Sequence, residues 1–176
     1  MIHKTKGQKM QAIFNNQFIT TSSEPPKIGC KISDDIELFS VNGKEKILAF
    51  PNTTAAGFVF ASIPHFSQFF FKDAVRFDEF LYHNCNDVET FLVFAKKPHS
   101  LPRFKKLKVL IDKNYHFANF FGIKIVSEFL ADNLTKSLFL VNQNGIITYQ
   151  FTPIDLYFRA NLDEFQKALK LLRAQD

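Results

Sequence analysis

Residues 88–95 read VETFLVFA, a run that is apolar on successive positions and does not alternate. A strand of that kind offers neither face to water, so it needs other structure packed above and below it. Ile47-Leu48-Ala49-Phe50 is a second run of the same type, and both are expected as central strands of one sheet. Between them Phe77, Phe80 and Leu81 fall at helical spacing, which predicts a helix over 73–83.

The remaining segments supply edges and covers. Residues 10–21, MQAIFNNQFITT, read as a hairpin turning at Asn15-Asn16, a pair tolerant of positive φ. SSEPPKIG (22–29) breaks regular structure and leads the chain away. Residues 36–41 alternate and predict a strand with one wet face, turning at Asn42-Gly43. Val109-Leu110-Ile111 predicts a short strand or strand edge. YHFANFFGI (115–123) predicts a helix closed by Gly122 in the left-handed conformation. SLFLV (137–141), NQNG and IITYQF (146–151) make a second hairpin. A last helix opens at Asn161 with Glu164 three residues on, and faces Leu162, Phe165, Ala168, Leu169 and Leu172 to the core. Residues 52–72 carry no clear pattern. The order predicts an α/β, thioredoxin-like domain over 1–176: an N-terminal hairpin (10–21), then a core (30–176) built on a mixed central sheet with helices on both faces.

At this point the segments resemble the thiol peroxidase (Tpx-type) branch of the peroxiredoxins over nearly the whole chain. QAIFNNQFITTSSEPPKIG resembles that branch's extra hairpin, DDIELFSVNGKEKILAFP the two strands leading to its active-site proline, and KKPHSLPRFK the loop that holds its resolving cysteine. VLIDKNYHFANFFGIKI and LTKSLFLVNQNGIITYQF resemble its later helix and late hairpin. The resemblance implies a proline, then a threonine, then a peroxidatic cysteine three residues beyond the threonine. Aligned on Pro51, the threonine position is Ala55 (Thr54 with a one-residue slip) and the cysteine position is Phe58. The resolving cysteine, just after Arg103-Phe104, falls on Lys105, and the family arginine falls on Lys136.

Those replacements remove the chemistry. Peroxide reduction needs a thiolate whose pKa is lowered by a helix N-terminus and a guanidinium. It also needs donors that hold the peroxide in line. Phenylalanine has no nucleophile, and lysine lacks the planar fork of arginine. The expected function is a degenerate, non-catalytic binding or interaction module with no cofactor. The resemblance also implies a homodimer, which the Phe-rich run FSQFFFKD (66–73) could serve. Pro51, Thr54, Ala55, Phe58, Arg103, Lys105 and Lys136 are the candidate pocket, with Phe58, Phe60 and Phe66 as its rim and a protein or an anionic ligand held by its positive charge as its expected occupant.

Two alternatives stand beside this reading. The first is thiol redox chemistry at a new position, using Cys85, near His83, or Cys30, the two cysteines of the chain. Fifty-five residues apart, they form no CxxC pair and are expected as free thiols of a reducing compartment. The second alternative is anion or nucleic-acid binding through KKPHSLPRFKKLK (96–108), in a chain of net charge +5. No RNA-binding aromatic motif accompanies that stretch, so nucleic acid is not the expected partner. His3, His65, His83, His99 and His116 form neither HxH nor HxxxH, so no metal is expected. No apolar run approaches the eighteen or so residues that span a bilayer. The lysines at 4, 6 and 9 precede no apolar leader, since Gln11, Asn15 and Asn16 interrupt, and a cytoplasmic protein is the expectation.

Overall fold

Asn15 and Asn16 both take positive φ, 52° and 59°, the conformation a two-residue type I′ turn requires. They join β1 (Gln11–Phe14) to β2 (Gln17–Thr20) as the expected antiparallel hairpin. The computed structural model describes residues 9–33, 36–42, 46–48, 55–65 and 67–174. After the hairpin the chain builds a seven-stranded sheet from β3 (Glu37–Ser40), β4 (Lys46–Leu48), β5 (Gly57–Ser62), β6 (Val88–Phe94), β7 (Lys108–Ile111), β8 (Ser137–Asn142) and β9 (Ile147–Phe151). Its order is β4-β3-β7-β6-β5-β8-β9. The β5–β6 and β6–β7 pairs are parallel, and the other neighbours are antiparallel.

Among the described residues, three helices cover this sheet: α1 (Gln68–Asn84), α2 (His116–Phe120) and α3 (Leu162–Arg173). The period of two along β5 separates two cores. Val59 and Ala61 point to the side of α1 and α3, where Phe70, Ala74, Leu81, Phe165 and Leu169 are buried. Phe58 and Phe60 point to the opposite side, toward Phe117 and Phe121 beside α2. Phe60 is fully buried, with its ring centroid 5.4 Å from both Phe91 and Phe117. Asn161 caps α3 as expected, its Oδ1 accepting from the N–H groups of Asp163 (3.0 Å) and Glu164 (3.4 Å). Gly122 closes α2 at φ +66°, where an added Cβ would stand 2.4 Å from the Glu24 carbonyl oxygen.

One strand assignment changes. The described part of the Ile47 run, β4 (Lys46–Leu48), lies at the sheet's edge beside β3 and is not a central strand, while Ala49 and Phe50 lie outside the described residues. The central strand before the first helix is β5, inside the segment that carried no clear pattern. Val109–Ile111, expected as a short strand or strand edge, forms most of the four-residue β7, which lies inside the sheet between β3 and β6.

Candidate functional site

The parallel β5–α1–β6 unit decides where a strand-to-helix site can lie. Such sites gather at the carboxyl ends of parallel strands. β5 ends at Ser62; Ile63 and the buried Pro64 follow, and α1 begins at Gln68. Ser67 caps the helix, its Oγ accepting from the Phe70 N–H at 3.5 Å. The first turn carries Gln68, Phe69, Phe70 and Phe71, with no acidic residue and no thiol. His65 lies in the turn. Its ring meets Phe14 and Phe70 edge-on at 6.2 and 5.6 Å, its Nδ1 has no hydrogen-bond partner, and burial lowers its pKa.

Lys136, just before β8, reaches this helix from the sheet. Its ammonium donates to Asp73 Oδ2 at 2.5 Å, the Phe158 carbonyl at 2.7 Å and the Leu156 carbonyl at 3.3 Å. It also lies over the rings of Phe69 (5.5 Å) and Phe70 (5.9 Å). Burial lowers the Lys136 pKa, and the hydrogen bond and charge of Asp73 act against that. Arg159 Nε stands 2.6 Å from Asp73 Oδ1 without a well-directed hydrogen bond to it. An ammonium has three N–H groups, and Lys136 spends all three inside the protein. It therefore acts as a strut between α1, β8 and the 156–158 segment rather than as an open anion seat.

The other pocket residues do not join it. Pro51, Thr54 and the rim residue Phe66 lie outside the described residues. Ala55 and Phe58 stand at the amino end of β5, where the Ala56 N–H bonds to the Asp87 carbonyl. Six strand residues at about 3.3 Å each separate that end from Pro64 by roughly 20 Å. Phe58 is 3% exposed, within a strand rather than at a helix start, and faces the α2 core. It neither plugs nor lines a pocket with Lys136. Phe58 stands inside β5, whereas the implied motif needs a helix start at that position.

Arg103 is exposed. Lys105 pairs with Glu79 at 2.7 Å and Lys108 with Glu89 at 2.5 Å, both near the solvent. Asp78, 4% exposed, accepts from the N–H groups of Lys105 (2.8 Å), Lys106 (2.9 Å) and Leu107 (2.7 Å), which fixes this stretch beside the middle of α1. The basic run is therefore partly neutralised and does not converge with Lys136. The residues that sequence reasoning missed are Pro64, Gln68, Phe71, Asp73 and Arg159. The available signal was a Gly57-to-Pro64 bracket around Phe58-Val59-Phe60, followed by a serine three residues after the proline.

Both thiols are free. Cys85 is the C-cap of α1, fully buried; burial pushes its pKa up to about 11, and Asp87 adds to this against the pull of Arg173 and Lys106. A helix C-terminus also disfavours a thiolate. At 1.5 Å per residue, the 17 residues of α1 hold Cys85 about 25 Å from the first turn. His83 does not activate it, pairing with Glu79 at 3.0 Å instead. Cys30 is exposed, in the loop whose carbonyl accepts from the Ile147 N–H. No group of three or more His, Cys, Asp or Glu among the described residues could hold a metal ion, and no described helix is long and apolar enough to cross a membrane.

Comparison with solved structures agrees with this architecture. A peroxiredoxin-like protein from Aquifex aeolicus superposes with a TM-score of 0.79 at 16% identity, covering 94% of this chain and 99% of its own. A thiol peroxidase from Chromobacterium violaceum gives 0.75 at 13% identity, covering 92% and 96%. The reduced 2-Cys peroxiredoxin of Plasmodium vivax gives 0.65 at 11%, covering 85% and 83%. No protein-family model matches the sequence, and no curated protein matches it significantly. The likeness is one of fold: the chain has the thioredoxin-like fold of the peroxiredoxins, with an N-terminal antiparallel hairpin.

Proposed function

We infer that this chain is a peroxiredoxin-fold protein that binds rather than reduces. The observation that carries the reading is the first turn of α1. From Pro51 to Ala55 and Phe58 the implied motif spans four and seven residues. The same spacing counted from Pro64, the proline that does precede a helix, falls on Gln68 and Phe71. A carboxamide and a benzyl group offer no nucleophile and no ionisable proton. Cys85 is no substitute: with a pKa near 11, about one thiol in ten thousand is ionised at neutral pH.

The face around this turn suits a protein partner, and a second copy of the chain is the one we propose. Phe71 (37% exposed), Val75 (39%), Ile154 (68%), Tyr157 (45%) and Phe158 (62%) present apolar surface near the helix start. The 154–157 segment is held there by backbone bonds to Ile13 and by the Tyr157 ring against Phe69 at 4.8 Å. Sedimentation of the protein with and without a Phe71→Glu/Phe158→Glu pair tests this: the native chain should be dimeric and the variant monomeric. A reducing, cytoplasmic setting fits two free thiols.

Peroxide consumption tests the central reading. With dithiothreitol and hydrogen peroxide or cumene hydroperoxide, the native protein should be no faster than the Cys30→Ser/Cys85→Ser variant. Turnover that disappears with Cys30→Ser alone would overturn it and assign redox chemistry to the exposed thiol.

A further inference from the structure

A cavity of about 70 Å³ opens between the middle of α1, the β5–β8–β9 part of the sheet and residues 159–162. A recess of that size takes a small molecule of a few heavy atoms, not a drug-sized one. Ala61, Ile63, Phe77, Leu92, Leu138 and Phe151 supply apolar wall. Arg76 and Arg159, both exposed, supply charge at its mouth.

The polar atoms in the wall sort by elimination. Ser62 Oγ donates to the Thr135 carbonyl at 2.7 Å, so in its 2.6 Å contact with Ser137 Oγ the donor is Ser137. Both hydroxyl protons are thus spent within the protein. The Lys136 ammonium is spent on Asp73 and two carbonyls. Arg159 turns Nε to Asp73, which leaves the four terminal N–H groups of its guanidinium. Arg76 makes no ion pair with a described residue. Lys136 and Arg159 both pair with one carboxylate, Asp73, and Arg76 lines the same cavity; Asp155 lies close enough to act on Lys136, and the balance at the cavity stays positive. The Asp73 side chain is 10% exposed, and its Oδ1, at the wall, receives no well-directed hydrogen bond.

A narrow apolar recess under a guanidinium mouth selects for charge and shape together. A cation is repelled. A phosphate would bring more charge and more acceptors than the two guanidinium groups satisfy against apolar walls. A planar, two-oxygen anion on a short carbon chain matches both parts, because a guanidinium fork meets a carboxylate in bidentate geometry. We propose that this cavity binds a short-chain monocarboxylate, its carbons between Phe77, Leu138 and Phe151 and its carboxylate on Arg76 and Arg159. The inference rests on the reading that the chain binds rather than turns over peroxide, and it names the ligand class.

The test titrates the full ¹⁵N-labelled chain with butyrate, acetate and n-butylamine, following amide shifts. Butyrate should produce saturable shifts at Ala61, Ala74, Phe77 and Leu138, acetate weaker ones, and butylamine none. Arg76→Gln, which breaks no internal ion pair, should weaken butyrate at least tenfold with the melting temperature unchanged. Ala160→Leu, which narrows the wall, should abolish binding. The proposal is overturned if butyrate gives no saturable shifts, if butylamine binds equally well, or if both variants bind like the native chain. A peroxidase rate would overturn the reading of a thiol-free site instead, and the two failures appear in separate assays.

Discussion

Lys136→Met removes the charge of the strut and keeps the length of its stem. Its partner Asp73 is 10% exposed and Lys136 is 7% exposed, so the pair is buried by any useful measure. Breaking a buried pair by deleting one member costs about 3–5 kcal/mol, because the other charge is left uncompensated. Arg159 Nε remains 2.6 Å from Asp73 and offsets part of that. The freed carbonyls of Leu156 and Phe158 add back some loss. The expected destabilisation is about 2–4 kcal/mol, or a melting temperature lower by roughly 5–15 °C for a chain of this size. Asp73→Asn alone should cost about 1–3 kcal/mol, since Lys136 keeps two carbonyl acceptors. The double variant should cost less than the sum, with a coupling of about 1–3 kcal/mol. The chain has no Trp, so urea unfolding is best followed by far-ultraviolet circular dichroism. Additive single losses, or a neutral Lys136→Met, would refute the strut and return Lys136 to the role of an open anion seat.

Three further outcomes follow from other features. A maleimide should label Cys30 in the native protein within seconds to minutes and reach Cys85 only under denaturant, as mass spectrometry would show; native labelling of Cys85 would contradict its burial. Gly122→Ala should cost more than about 1 kcal/mol in chemical unfolding, because the residue needs φ +66° and its Cβ would meet the Glu24 backbone; an unchanged midpoint would refute this. Burial favours the neutral His65 ring, so the unfolded chain binds that proton more readily. Stability should therefore fall as pH drops through about 6.5, the unfolded value, and level off once the folded ring also protonates. His65→Phe should flatten that part of the melting-temperature profile, and an unaltered slope would remove His65 as its source.

Features set by neighbours in sequence were the legible ones. The Asn15-Asn16 turn and the Asn161 cap depend on a few adjacent residues, and both formed where expected. The β5 run was not legible, because GFVFAS is short and buried at all six positions, so neither period separates strand from helix. With β5 unread, Pro51 looked like the proline at the sheet's carboxyl edge, and Ala55 and Phe58 inherited roles at the wrong end of the strand. Arg159 and Asp73 were beyond reach for a different reason. They are 86 positions apart, and only the packing of the 156–162 segment on α1 brings them together. The missing peroxidatic cysteine was legible all the same, since no alignment register offers one between Cys30 and Cys85.

The long helix α1 is fastened at three heights. Near its start Asp73 is tied to Lys136, at its middle Asp78 holds three amides of the 105–107 segment, and at its end Arg173 from α3 bonds to the Asn84 carbonyl and to Asp87 just beyond. A helix pinned this way has no loose terminus from which to unwind turn by turn. Its amides should then exchange with deuterium together and slowly, opening only when the sheet beneath opens. The turn where a peroxiredoxin-fold protein would carry its reactive group becomes, in this chain, one of the last places to come apart.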